Sequence, residues 1–205
     1  MKREQKREQT KRLLLETTKA LIMEKGCDQT TFKDIMERSG LSKGAIFHYV
    51  SGKDELLALV LEAHLEETNR KFFDAVARGG GAFGPPMRAL ADSFATLDRP
   101  DDATNRVLSY LLGRSEQPLV REALRRFHER AAEASKSWIL AGQRGGVIPA
   151  TVDAERTAEL FVLLGYGIRM RAFVSVGPHP FGIAEFTDLI ANTLQPGGAS
   201  GRGDE

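Results

Sequence analysis

Between Thr30 and Leu56 the chain reads TTFKDIMERSGLSKGAIFHYVSGKDEL, a short stretch that holds three helix starts and a glycine stop. Thr31, with Asp34 three residues on, opens an apolar-periodic run in the manner of a capping box. Phe32, Ile35 and Met36 share one face of that run, while Lys33, Glu37 and Arg38 face outward. Gly40 supplies the left-handed residue at which helices commonly stop. Leu41 is placed to plug the core between two helices. Ser42 is a good N-cap for a second, very short helix from about Lys43 to Tyr49, with Ile46, Phe47 and Val50 packing inward. Ser51, with Asp54, forms a second capping box and starts a third helix. Two short helices joined by so tight a turn form a helix-turn-helix, whose second helix is the one that enters the DNA major groove.

The outward side of the second helix suits that task. Gly44 and Ala45 carry almost no side chain, so backbone can approach base edges closely. Lys43 reaches guanine or phosphate, and His48 and Tyr49 bond phosphates or stack on a thymine methyl. Lys53 falls in the first turn of the next helix, a poor place for a cation beside the macrodipole, and a phosphate there would resolve the conflict. The expected DNA contacts are therefore Thr31, Ser42, Lys43, Gly44, Ala45, His48, Tyr49 and Lys53. A plain helical corner with a solvated basic side is the competing reading of the bare pattern.

The identities and spacing of Gly26, Thr30-Thr31, Ile35, Gly40-Leu41-Ser42, Gly44, Ile46-Phe47, Tyr49-Val50, Lys53 and Leu56 tip that balance. Together they resemble the N-terminal domain of the TetR (tetracycline-repressor) family of bacterial transcriptional regulators, over roughly residues 10 to 60. Cys27 departs from the family's usual aromatic and Val50 from its usual Phe; neither is among the DNA-facing positions. The resemblance implies an all-α chain of about nine helices, three of them forming the DNA-binding head. It also implies a homodimer on a palindromic operator, and a small-molecule effector held in a C-terminal domain that releases the protein from DNA.

Charge is distributed to match. Residues 1 to 53 hold 12 Lys/Arg against 7 Asp/Glu, and the remainder holds 17 against 21, although the whole chain is only +1. A basic N-terminal quarter on a mildly acidic body fits one nucleic-acid-facing module. The cations of the opening (Lys2, Arg3, Lys6, Arg7, Lys11 and Arg12) read either as a solvated helix face or as a flexible arm adding phosphate or minor-groove contacts. One cysteine excludes an internal disulfide, and with no signal segment and no apolar run of membrane-spanning length a cytoplasmic protein is expected. His48, His64, His128, His179 and Cys27 lack metal-ligand spacing. No nucleophile elbow, phosphate loop or dinucleotide fingerprint occurs, so neither enzyme, metal nor cofactor is expected.

Helical periodicity continues throughout, with no repeat and no β-alternation. Helices are predicted from about Thr10 to Lys25, Ser51 to Arg78, Pro85 to Asp98, a shorter one after Pro100-Asp101-Asp102, one from Pro118 to Gly145, Ala154 to Val174, and Ile183 to Leu194. The Ser51–Arg78 helix spans about 40 Å. Three regions are expected: a DNA-binding domain over 1–53, a ligand-binding and dimerisation domain over 54–195, and an unstructured Gly-rich tail over 196–205. Ala158, Gly165 and Ala172 recur every seven residues, flanked by Leu160, Leu163, Leu164 and Ile168. With Phe186, Leu189 and Ile190 of the last helix they make the expected dimer interface, unless these faces bury against their own domain. An effector pocket is expected among Phe94, Leu97, Leu108, Leu111, Leu112, Phe127, Trp138, Phe161 and Tyr166, all of which also read as plain core. Arg169 and Arg171, cations in an apolar helix, need acceptors from an acidic partner or from an anionic ligand.

Overall fold

Thr31 opens a helix because its backbone N–H donates to Asp34 Oδ2 at 2.8 Å while its own hydroxyl oxygen accepts from the Asp34 N–H. That reciprocal cap, and others like it, punctuate a chain whose computed structural model describes residues 2–174, 177 and 179–195. Among the described residues there are nine helices and no strand. They are α1 (Lys2–Gln29), α2 (Phe32–Ser39), α3 (Lys43–Phe47), α4 (Lys53–Arg78), α5 (Gly84–Phe94), α6 (Ala103–Leu112), α7 (Pro118–Arg144), α8 (Ala154–Val174) and α9 (Ile183–Leu194). The Gly-rich tail read as unstructured lies outside the described residues.

Local chemistry explains most of the boundaries. Gly40 takes φ 69° and caps α2 in the left-handed region. Ser42 caps α3 by accepting the Ala45 N–H at 3.2 Å. Asp102 accepts from the N–H groups of Thr104 and Asn105 to start α6, and Asp153 does the same for Glu155 and Arg156 at α8. Three expectations are corrected. The first helix begins near Lys2 and not at Thr10, so the basic opening is an exposed helix face and not an arm. α3 stops at Phe47, with His48 as its C-cap. The partner of Ser51 is Glu55, whose Oε2 lies 2.6 Å from both the N–H and the hydroxyl, because α4 starts one residue later, with the Gly52 carbonyl accepting from Leu56; Asp54 accepts from Arg114 Nη2 at 3.2 Å.

The helices form two compact units, Met1–His64 with Pro100–Phe127, and Leu65–Arg99 with His128–Glu205. The unit around the helix-turn-helix thus reaches past residue 53. Leu56, Leu57, Val60 and Leu61 of α4 are no more than 1% exposed, and Val107, Leu108 and Leu111 of α6 are equally buried within the same unit. α1 packs against both α2 and α6. Arg106 of α6 fastens that contact by donating to the carbonyls of Ile22 and Met23 at 2.9 and 3.1 Å. Gly26, at φ 81°, breaks the helical run of α1, so those carbonyls lie in its last regular turn, where acceptors lack intrahelical partners.

The second unit holds its own core. Leu97, Ile139, Ile148, Ala158, Ile168, Phe186 and Ile190 are buried together, and α5 packs on α9. Beside it Phe72, Leu90 and Trp138 form a smaller cluster, with the Phe72 and Trp138 rings stacked at 5.4 Å. Gly142 lets the Ile148 side chain lie directly on α7, where any Cβ would collide with it.

Candidate nucleic-acid interface and second-unit cavity

α3 is a single short turn of helix mounted on a fully buried Ile46, with Val50 buried just beyond it. Those two anchors leave Lys43, Gly44 and His48 exposed and Ala45 half-buried. Among the described residues nothing lies within 4 Å of where a Gly44 Cβ would stand, so the surface above it is open. Lys43 and Phe47, and likewise Gly44 and His48, are four residues apart and share one side of the turn. Phe47, expected inward, is 41% exposed: its ring sits 5.0 Å from that of Phe32, and the Lys43 ammonium lies over it at 5.7 Å. The reason is angular. Successive helical residues point about 100° apart, so Ile46 and Phe47 cannot both enter one core beneath so short a helix.

The remaining expected contacts are placed as follows. Thr31 is exposed, with its hydroxyl on Asp34; Ser42 is exposed and occupied in capping. Tyr49 is half-buried, and its hydroxyl donates to the Arg7 carbonyl at 2.9 Å, tying the basic opening of α1 to the end of α3. Lys53 is turned inward: its ammonium donates to the Asp28 carbonyl at 2.9 Å and lies over the Tyr110 ring. A carbonyl and a ring therefore relieve the conflict between this cation and the α4 macrodipole, without a phosphate being required.

Electrostatics separates structural cations from free ones. Lys25 pairs with Asp34 at 2.7 Å, and this bond, with those from Thr31, holds the Asp34 carboxyl well below the usual carboxylate range. Arg38 pairs with Glu24, lowering that carboxyl and raising the guanidinium. By contrast, among the described residues Lys43 lies over the Phe47 ring without an ion pair, and Arg3, Lys6, Arg7, Lys11 and Arg12 make no ion pair either. Cys27 is buried, and burial pushes its thiol up to about 11. Among the described residues no group of three His, Cys, Asp or Glu side chains could hold a metal ion, and no helix is long and apolar enough to cross a membrane.

The second unit contains a cavity of about 80 Å³. Of the residues expected to line a pocket, Phe94, Trp138 and Phe161 do so. Leu108, Leu111, Leu112 and Phe127 belong instead to the first unit, where three are core and Leu112 is on the surface. Leu97 is core of the second unit; Tyr166 stacks on His128 at 5.9 Å, and neither it nor Arg169 lines the cavity. Phe72, Phe83, Met87, Leu90 and Ser135 are lining residues that the sequence reading missed. Helical spacing marks the apolar face of each segment without saying which faces converge.

The expected dimer residues are likewise redistributed. Ala158, Ile168, Phe186 and Ile190 are at most 4% exposed within the unit's own core, and Gly165 is buried as well. Ala172 and Leu189 are half-buried. Of the small-residue stripe, Ala158 lies in that core, and Gly165 is covered by Arg169 of its own helix, whose Nη1 would lie 3.7 Å from a Cβ there. The exposed side of α8 carries Leu160, Leu163, Phe173 and Val174 instead.

Residues 14–60 match the model of the family described as bacterial regulatory proteins, tetR family. The chain is 38% identical over 58 residues to an uncharacterized HTH-type transcriptional regulator, YfiR, of Bacillus subtilis (strain 168), covering 28% of each chain. It is 24% identical over 90 residues to the HTH-type transcriptional repressor KstR2 of Rhodococcus jostii (strain RHA1), covering 44% of each. The matched stretches thus span less than half the length of these relatives. In fold, the chain is similar to a TetR transcription regulator from Haloarcula marismortui, with a TM-score of 0.63 at 20% identity, over 92% of this chain and 98% of that one.

Proposed function

We propose that this chain, whose residues 14–60 match the tetR family of bacterial regulatory proteins, is a dimeric, sequence-specific DNA-binding repressor released by a small molecule. The observation that carries the reading is the outer side of α3. Lys43, Gly44 and His48 stand exposed on a turn whose backbone is unshielded at Gly44 and whose underside is locked by Ile46. A slim, basic, rigid probe is what base-edge readout in the major groove needs. The unpaired cations at the start of α1 supply phosphate attraction. No catalytic role is assigned to any residue.

A palindromic operator calls for a two-fold pair of such probes about 34–36 Å apart. Leu160, Leu163, Gly167 and Val174 recur along the exposed side of α8 at helical spacing. Beside Leu160 and Leu163 the rim is charged, with Lys136 paired to Glu155 at 3.2 Å and His128 facing Glu159 at 3.4 Å. An apolar centre with a polar rim is the anatomy of a protein–protein contact, and it supports pairing of two copies through α8. The cavity of the second unit is the effector site. An effector that prefers the non-binding conformation about 100-fold shifts the equilibrium by about 2.7 kcal/mol.

Electrophoretic mobility shift with the DNA flanking the chain's own gene tests the proposal. A discrete complex that survives excess unrelated DNA at moderate salt is expected. Weak, sequence-indifferent retention that vanishes as salt rises would leave only a helical interaction module.

A further inference from the structure

We propose that the cavity of the second unit takes an uncharged, largely apolar, ring-sized molecule carrying a single hydrogen-bonding group, which meets the hydroxyl of Ser135. The inference rests on the reading of this unit as an effector domain and specifies the chemistry of what enters it.

Among the described residues no charged side chain lines the cavity. An ionised ligand would shed its water there with nothing to replace it, a cost that excludes anions and cations alike. Arg169 and Arg171, the cations that an anionic effector would use, lie outside the lining. The Trp138 N–H is already spent on Asn69 Oδ1 at 2.8 Å. Ser135 is different. It is 9% exposed, and its hydroxyl is the one side-chain hydroxyl among the lining residues. A ligand oxygen or nitrogen facing this wall finds there its one side-chain hydroxyl, and a hydrogen bond to it fixes the ligand's orientation.

The walls select for a ring. The stacked Phe72–Trp138 pair and Phe94 present flat apolar faces, against which aromatic or alicyclic rings pack well. The volume, about 80 Å³, is roughly half that of the ~150 Å³ engineered cavity known to accept benzene. Entry of a ring therefore needs a wall that yields, and Met87, unbranched with three rotatable bonds, provides one.

Trp138 is the chain's only tryptophan, so emission excited at 295 nm reports from the cavity wall itself. Toluene, benzyl alcohol and benzoate share one ring and differ in the group it carries. Toluene and benzyl alcohol should each change the emission saturably, and benzoate should not do so at tenfold higher concentration. Ser135→Ala should weaken benzyl alcohol about 2–10-fold, the loss of one hydrogen bond, while toluene stays within about twofold. Should that variant fail to fold, Ser135→Cys makes the same comparison with the volume kept. Benzoate binding as tightly as benzyl alcohol, or equal losses for alcohol and hydrocarbon on substitution, would overturn the inference. DNA retention by the same preparation separates the two levels. Protein that holds its DNA but ignores both uncharged probes sinks the cavity assignment alone. Protein that takes the probes but holds no DNA supports the cavity assignment and sinks the regulator reading.

Discussion

Cys27, near the C-terminal end of α1, is 6% exposed, and burial pushes its thiol up to about 11. Almost none is thiolate at neutral pH, and the thiolate is the reactive form. Iodoacetamide at pH 8 should therefore leave the native chain unmodified over a period in which the urea-unfolded chain reacts to completion; equal rates would mean that this side of the core is open to water. Asp34 gives a second residue-scale outcome. Its carboxyl is depressed chiefly by Lys25, then by Thr31. A carboxyl lowered on folding favours the native state at every pH above its unfolded value, around 4, and that support fades as pH falls towards the folded value. The start of α2 should thus loosen in acid, and Glu24, held down by Arg38, adds in the same direction. Asp34→Asn should flatten the fall of stability between about pH 5 and pH 2, followed by circular dichroism in urea. An unaltered curve would show that the pairing carries no linkage. The cap itself was legible because Thr31 and Asp34 are close in sequence and need no tertiary knowledge. Phe47 was not legible. Two adjacent apolar residues compete for one inward direction, and only the packed neighbours decide between them.

Lys43 and Lys53 looked alike as cations at helix starts, and the helices they open make them different. Lys43 stands free on α3; Lys53 is clasped by the Asp28 carbonyl and the Tyr110 ring. Lys43→Ala should weaken binding to all DNA sequences and lower the slope of log affinity against log salt by about 1. Lys53→Ala should leave that slope nearly unchanged and lower the thermal midpoint. If Lys53 instead takes the slope with it, its amine leaves Asp28 for a phosphate on binding. The same contrast explains which helices were readable in advance. α2, α3, α8 and α9 carry their start signals in their own residues, so their positions follow from local chemistry. The alliance of α6 with α1 depends on Arg106 reaching carbonyls over eighty residues away in sequence, and no local signal carries that. For the same reason three lining residues of the cavity were foreseen, while its serine and the Phe72 wall emerged only from the packing.

For the molecule as a whole, assembly and stability should respond to different sides of α8. Leu160→Glu with Leu163→Glu alters exposed positions, and sedimentation should show monomers of undiminished helical content. Ala158→Leu overfills a buried position and should cost about 1–3 kcal/mol while leaving the protomer number alone. The reverse pattern would place the contact surface on the small-residue stripe after all. One link bears on how such a molecule meets a polyanion. Because Tyr49 grips the Arg7 carbonyl, and α1 is helical from Lys2, the leading cations ride on a stiff rod and not on a floppy thread. A thread must surrender its freedom when it is captured, and calorimetry registers that surrender as an unfavourable entropy and a large negative heat capacity. The rod has already surrendered it during folding, so titration of duplex into protein should show little of either from this segment.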